Sequence, residues 1–157
     1  MRLAIAATFL VLSLAACGDD SSKTSEAAKE AAPAPEAASD RTPSPPGARV
    51  MILEPADNAT VKSPVTVRFG VEGMEVAPAG TDKPNTGHHH LFIDSTLDDP
   101  STPIAADANH IHYGKGQTEA QVELAPGQHT LQDVFADKNH IPHDPPVVSE
   151  VIHITVE

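Results

Sequence analysis

The sequence predicts an all-β domain, an immunoglobulin-like β-sandwich of about seven short strands. Three observations predict it. Several short segments alternate apolar and polar residues, which is the period of a half-buried strand. No segment places apolar residues at i, i+3, i+4 and i+7, so helices should be few. Turns rich in proline and glycine, 15 and 9 residues across the chain, separate the alternating runs.

Taken in order, residues 49–53 make a short β run closed by Pro55-Ala56-Asp57-Asn58. Val65, Val67, Phe69 and Val71 then alternate with Thr66, Arg68 and Gly70, one face toward a core and one toward solvent. Leu91, Phe92 and Ile93 form the apolar part of a third strand. Val122 and Leu124 alternate with Gln121 and Glu123; Pro126-Gly127 turns the chain, and residues 128–136 return as the partner strand of a hairpin. Ile152, Ile154 and Val156 alternate with His153 and Thr155 in the last strand, which places His153 outward. Aromatic residues are 3% of the chain and tryptophan is absent, so the core must be built mainly from Val, Ile and Leu.

The domain occupies residues 48–157, long enough for a single core. Residues 18–47 contain no Val, Ile, Leu or aromatic side chain and are dominated by Ala, Pro, Ser, Glu, Asp and Lys. Such a stretch buries too little apolar surface to offset its ordering entropy, so it reads as a disordered tether. As a flexible coil it spans about 30 Å end to end. Ahead of it, Arg2, the apolar run 3–14 and the small residues Ala15 and Ala16 form a secretory signal peptide, residues 1–16. The run is too short to cross a bilayer core about 30 Å thick. Leu14-Ala15-Ala16-Cys17 resembles the bacterial lipobox, which implies that Cys17 is lipidated and becomes the first residue of the mature protein. The expected partner of the anchor is the lipid bilayer, and the expected location is the bacterial cell envelope, facing the periplasm or the exterior.

Charge and cysteine content narrow the chemistry. The formal net charge is -12, and loss of Arg2 with the signal makes it -13. Nucleic acid is excluded as a partner, because binding it needs clustered Lys and Arg against phosphate. Cys17 is the single cysteine, so an acylated chain keeps no thiol for a disulfide, a nucleophile or a soft metal site. Phosphate-loop, dinucleotide and Gly-x-Ser-x-Gly signatures are absent; Gly114-Lys115-Gly116-Gln117 is a tight turn, and the chain is read as non-enzymatic.

Histidine carries what chemistry is left. There are nine, and eight lie between His88 and His143. They fall in three clusters, His88-His89-His90, His110-Ile111-His112 and His140-Ile141-Pro142-His143, with His129 alone after a turn. In a strand, residues i and i+2 share a side about 6–7 Å apart, so His88 with His90, and His110 with His112, can converge on one ion. Neutral imidazole suits Zn²⁺ and Cu²⁺, which makes His88, His90, His110 and His112 the candidate metal ligands. His89, Asp94, His129, His140 and His143 are candidate additional ligands or orienting groups, as are Asp107 and Asp137. Two other readings compete: histidines that stitch loops together by hydrogen bonds, giving an interaction module for protein or glycan, and histidines that bind a ligand directly. A metalloenzyme with an open coordination position is a further alternative.

Longer motifs carry a family resemblance. Residues 73–80 (Gly-Met-Glu-Val-Ala-Pro-Ala-Gly), 87–94 (Gly-His-His-His-Leu-Phe-Ile-Asp), 110–119 (His-Ile-His-Tyr-Gly-Lys-Gly-Gln-Thr-Glu), 126–132 and 137–150 resemble a histidine-rich, domain-of-unknown-function family of bacterial exported and envelope proteins. The resemblance spans about residues 50–156 and implies no activity. One departure is Asp133, where the family usually has an apolar residue; the charge either disturbs that strand's inward face or lies near the histidines.

Overall fold

The computed structural model describes residues 41–157, and these contain no helix. The expected signal peptide, Cys17 and residues 18–40 of the expected tether lie outside the described residues. The strands are β1 (Arg49–Glu54), β2 (Ala59–Val61), β3 (Val65–Glu72), β4 (Glu75–Val76), β5 (Thr86–Ile93), β6 (His110–His112), β7 (Glu119–Val122), β8 (Gly127–Ala136), β9 (Pro142–Val148) and β10 (Ile152–Val156). Ten strands replace the expected seven or so because β2, β4 and β6 are two or three residues long, too short for alternation to register.

They form two sheets. One is β1-β3-β7, antiparallel throughout; the other runs β2-β10-β8-β5-β4, with β6 also on β5 and β9 also on β8. Between the sheets Val65, Val67 and Phe69 of β3 and Val122 of β7 meet Leu91 and Ile93 of β5, Leu131 of β8, and Ile152, Ile154 and Val156 of β10. The all-β, sandwich-like architecture is therefore as the alternation predicts. The core is aliphatic with Phe69 and Tyr113 added, and no more aromatic mass is needed because the β-branched residues pack well on pleated surfaces. A smaller cluster of Val50, Phe135 and Val147 extends it.

Two expectations are corrected and one is extended. The hairpin about Pro126-Gly127 does not form: β7 pairs with β3 while β8 pairs with β5, β9 and β10, so the turn carries the chain from one sheet to the other. Alternation identifies strands but says nothing of which sheet receives them. The third strand runs from Thr86, so the histidine run that leads into its apolar part lies inside it, with every residue of β5 buried. Finally, hydrogen-bonded structure is already present ahead of the expected boundary at residue 48. The Ser44 amide donates to the Asp144 carbonyl (2.9 Å), the Asp144 amide to the Thr42 carbonyl (2.9 Å), and Arg41 pairs with the Asp144 carboxylate. A polar, proline-rich segment is held here by backbone hydrogen bonds to β9, which composition does not reveal.

Candidate metal centre

The candidate site is a consequence of strand register. In β5, His88, His90 and Phe92 point to one face, while His89, Leu91 and Ile93 point to the core between the sheets. β6 lies antiparallel on β5 with His112 opposite His90 and His110 opposite Phe92. Directly opposed side chains have Cβ atoms about 4.5–5.5 Å apart, so His112 is brought over His90. The rings of His88, His90 and His112 lie with centroids 4.9 Å apart in all three pairs. One donor atom from each can be chosen so that all lie within 4.8 Å of one another. His140 adds a fourth ring, 4.7 Å from His112 and 5.1 Å from His88.

Electrostatics suit a cation. His88 and His90 are 0% and 1% exposed, and His112 is partly exposed. Nδ1 of His88, Nδ1 of His90 and Nε2 of His112 are buried with no hydrogen-bond partner, and Nε2 of His88 faces Nε2 of His90 at 3.0 Å. Desolvation first, then the neighbouring imidazoles, lowers His88 to about 4 and His90 to about 2. His112 is lowered for the same reasons, burial and then His140. Near neutral pH these rings are uncharged bases with lone pairs, the form that ligates metal. Leaving a buried polar atom unpaired costs about 1–3 kcal/mol, so a cluster with one such nitrogen on each ring is costly to hold without a ligand. Two nitrogens about 2.0–2.1 Å from one ion stand roughly 3 Å apart, comparable to the 3.0 Å between the Nε2 atoms of His88 and His90.

Two local devices aim the partly exposed rings. Gly114 has no side chain where His112 lies: a Cβ there would sit 2.2 Å from Cε1 and 2.3 Å from Nε2 of the ring. His140 adopts φ 66°, the left-handed region that a non-glycine residue occupies only when its surroundings hold it. Asp137 holds it. Its Oδ1 accepts from the amides of Asn139 (2.8 Å) and Ile141 (3.0 Å), its Oδ2 accepts from the Thr42 hydroxyl (2.6 Å), and its carbonyl accepts from the His140 amide (2.9 Å). Burial would raise the Asp137 carboxyl, but these donors, Thr42 first among them, hold it below its ordinary value.

The remaining candidates are placed elsewhere. His110 faces Phe92 (ring centroids 4.4 Å) and is held by Asp107 and Ser95, two register positions from the cluster. It is not grouped with the other three, because an antiparallel pairing that sets His112 over His90 leaves His110 over Phe92. His89 points into the core, stacks on Phe69 (4.7 Å, 17°) and bonds through Nδ1 to Asp133 Oδ2 at 2.8 Å. Asp133 is thus inward, fully buried and paired with a histidine of the opposite face from the cluster; burial raises its carboxyl against the opposing pull of that hydrogen bond. Asp94 and His129 bind each other at 2.8 Å. His143 is buried with Nδ1 3.3 Å from the Phe135 carbonyl and Nε2 3.2 Å from that of Thr86, a stitch between strands. His153 is exposed, as the alternation predicts.

The positioning role of Gly114 went unread in the sequence, whereas Asp137 was among the candidate orienting groups. A glycine two residues after a ligand-type histidine was the available signal for the first.

Residues 67–157 match the family described as Domain of unknown function (DUF4399). This agrees with the expected resemblance to a domain-of-unknown-function family, over a segment that begins later than residue 50. No curated protein and no solved structure matches the chain with significance.

Proposed function

The chain belongs to the DUF4399 family, and we propose that it captures and holds a divalent transition metal, Cu²⁺ or Zn²⁺, through His88, His90 and His112 with His140 beside them. The observation that carries this reading is the convergence of ring nitrogens of His88, His90 and His112 within 4.8 Å at a largely buried point, each ring uncharged and keeping one nitrogen without a hydrogen-bond partner. Structural stitching accounts for His129 and His143, whose ring nitrogens have carbonyl or carboxylate partners. It leaves the cluster unexplained. The liganding role expected of His110 passes to His140, which stands beside the three rings. A buried, all-imidazole set suits retention better than turnover, and metal capture or buffering in the cell envelope is the role it fits. The signal at 1–16 and the lipobox-like run ending at Cys17 support a lipid anchor that holds the domain at a membrane.

The test is metal analysis of the full chain, purified without a polyhistidine tag, after loading with Cu²⁺ or Zn²⁺ and desalting. About one equivalent is expected, and less than about 0.2 sinks the tight-site reading. His90→Ala should release the ion and His110→Ala should retain it. The opposite pattern would move the site to the other end of β6.

A further inference from the structure

A second arrangement lies two register positions from the cluster and does not involve it. β5 ends at Ile93, and Asp94 turns the chain with φ 52°. Asp94 is fixed there by three hydrogen bonds: its amide to the Thr130 carbonyl (2.9 Å), the Thr130 amide to its Oδ1 (2.9 Å), and His129 to its Oδ2 (2.8 Å). The turn places Ser95 just beyond the strand, where its Oγ lies 3.0 Å from His110 Nε2. The other ring nitrogen, Nδ1, lies 2.9 and 3.0 Å from the two carboxylate oxygens of Asp107. The Asn109 and His110 amides also donate to Asp107 Oδ1 and pin it (2.8 and 2.9 Å). With Asp107 accepting from Nδ1–H, the lone pair is on Nε2 and accepts the Ser95 hydroxyl.

We propose that Ser95, His110 and Asp107 form a serine-nucleophile triad that hydrolyses short, uncharged carboxylic esters. The order of contacts is that of a nucleophile, a base and a group that orients the base, which geometry and roles define irrespective of fold. Ser95 and His110 both line a cavity of about 280 Å³, walled on its apolar side by Phe92, Leu97, Pro103 and Ile104. That volume is just under the usual range for small-molecule sites, about 300–1,000 Å³, which suits a short acyl chain. Asp98 and Asp99 line the same cavity and repel anionic substrates.

In the first step Ser95 Oγ attacks the ester carbonyl carbon and forms an acyl–oxygen bond, while its proton moves to His110 Nε2. The ester carbon–oxygen bond breaks and the departing alcohol takes that proton. Water then attacks the acyl carbon and gives its proton to Nε2, which returns it to Ser95 Oγ as the carboxylic acid leaves. No oxidant, reductant or metal takes part. Asp107 is a positioning residue: it fixes the tautomer and stabilises the transient imidazolium.

The experiment uses the full chain in excess EDTA, so that a metal-bound hydroxide at the histidine cluster contributes nothing. A fluorophosphonate probe should label Ser95, located by peptide mass spectrometry, and p-nitrophenyl butyrate should be hydrolysed. Ser95→Ala should abolish the label and lower hydrolysis about 100-fold or more. His110→Gln should slow labelling to a similar degree, while Asp107→Asn should lower kcat with little change in KM. Metal content and melting temperature read the fold and the cluster separately. A wild-type chain not labelled at Ser95 overturns the proposal without needing any variant to fold. So does hydrolysis unchanged in Ser95→Ala, or labelling unchanged in His110→Gln.

Discussion

His112 shows how much a single residue owes to an absent one. Its ring occupies the space a Gly114 side chain would fill, and Gly114 has no left-handed backbone requirement. Gly114→Ala should therefore leave the melting temperature close to wild type while swinging the ring out of the cluster. Metal affinity is expected to fall at least about tenfold by competition with a chromophoric chelator, comparable to the loss of an orienting group at known sites. Unchanged affinity would exclude His112 as a ligand. The same residues set an acid sensitivity in the metal-free chain. His88 falls from 6.5 to about 4 on folding, and His90 to about 2, because burial disfavours their charged forms. Below 6.5 the unfolded chain takes up protons that the folded chain refuses, so stability falls as pH drops from about 6.5 toward 4. His129 acts in the opposite sense: the Asp94 hydrogen bond raises it, stabilising the fold at low pH and losing that contribution as pH rises. The urea midpoint of the metal-free chain should be lower at about pH 5 than at about pH 7, and the difference should shrink in a His88→Ala, His90→Ala double variant.

At the scale of elements, β5 holds both the core and the cluster, one on each face. Its approach to β8 is close at Gly87, where a Cβ would meet the Ala136 carbonyl at 2.6 Å and the Phe135 ring at 2.6 Å. The carbonyl is backbone and cannot yield, so Gly87→Ala must shift β5 against β8. We expect a clear loss of stability, of the 1–3 kcal/mol seen on overpacking, together with weaker metal binding because His88 is the next residue. Calorimetry and metal titration check both; a wild-type melting temperature would mean that the strand has slack. The loop between β8 and β9 is built on a different principle, with the Asp137 carboxylate standing in for the missing ladder. Asp137→Asn keeps the shape but weakens the charge-assisted bonds. It should loosen His140, and less the three rings on β5 and β6.

At the scale of the molecule, a metal that binds only the folded chain stabilises it by about 2.7 kcal/mol at a hundredfold excess over its dissociation constant. Scanning calorimetry with and without Zn²⁺ should show this rise, and none in His90→Ala. The anchor has its own test: Cys17→Ser should move the protein from the membrane fraction to the soluble fraction of cells, and unchanged fractionation would sink the lipid reading. Such an anchor would confine the whole domain to a surface, and the cluster and the Ser95 site with it.

Local pattern was enough for the strand character of 65–71, 121–122, 128–136 and 152–156, for the outward His153 and for the aliphatic core, because alternation is a property of adjacent residues. It also singled out His88 and His90, since a two-residue period puts them on one side of any strand. Which partners they meet was decided by pairing. The β5–β6 register chose His112 over His110, and the β8–β9 loop brought in His140 from fifty residues downstream of His90. The separation of His89 and Asp133 into the core, and of Asp94 with His129 at the sheet's end, likewise came from strand order. Sequence spacing fixes the face a side chain takes along its own strand; only hydrogen bonding between strands distant in the chain determines what stands opposite it.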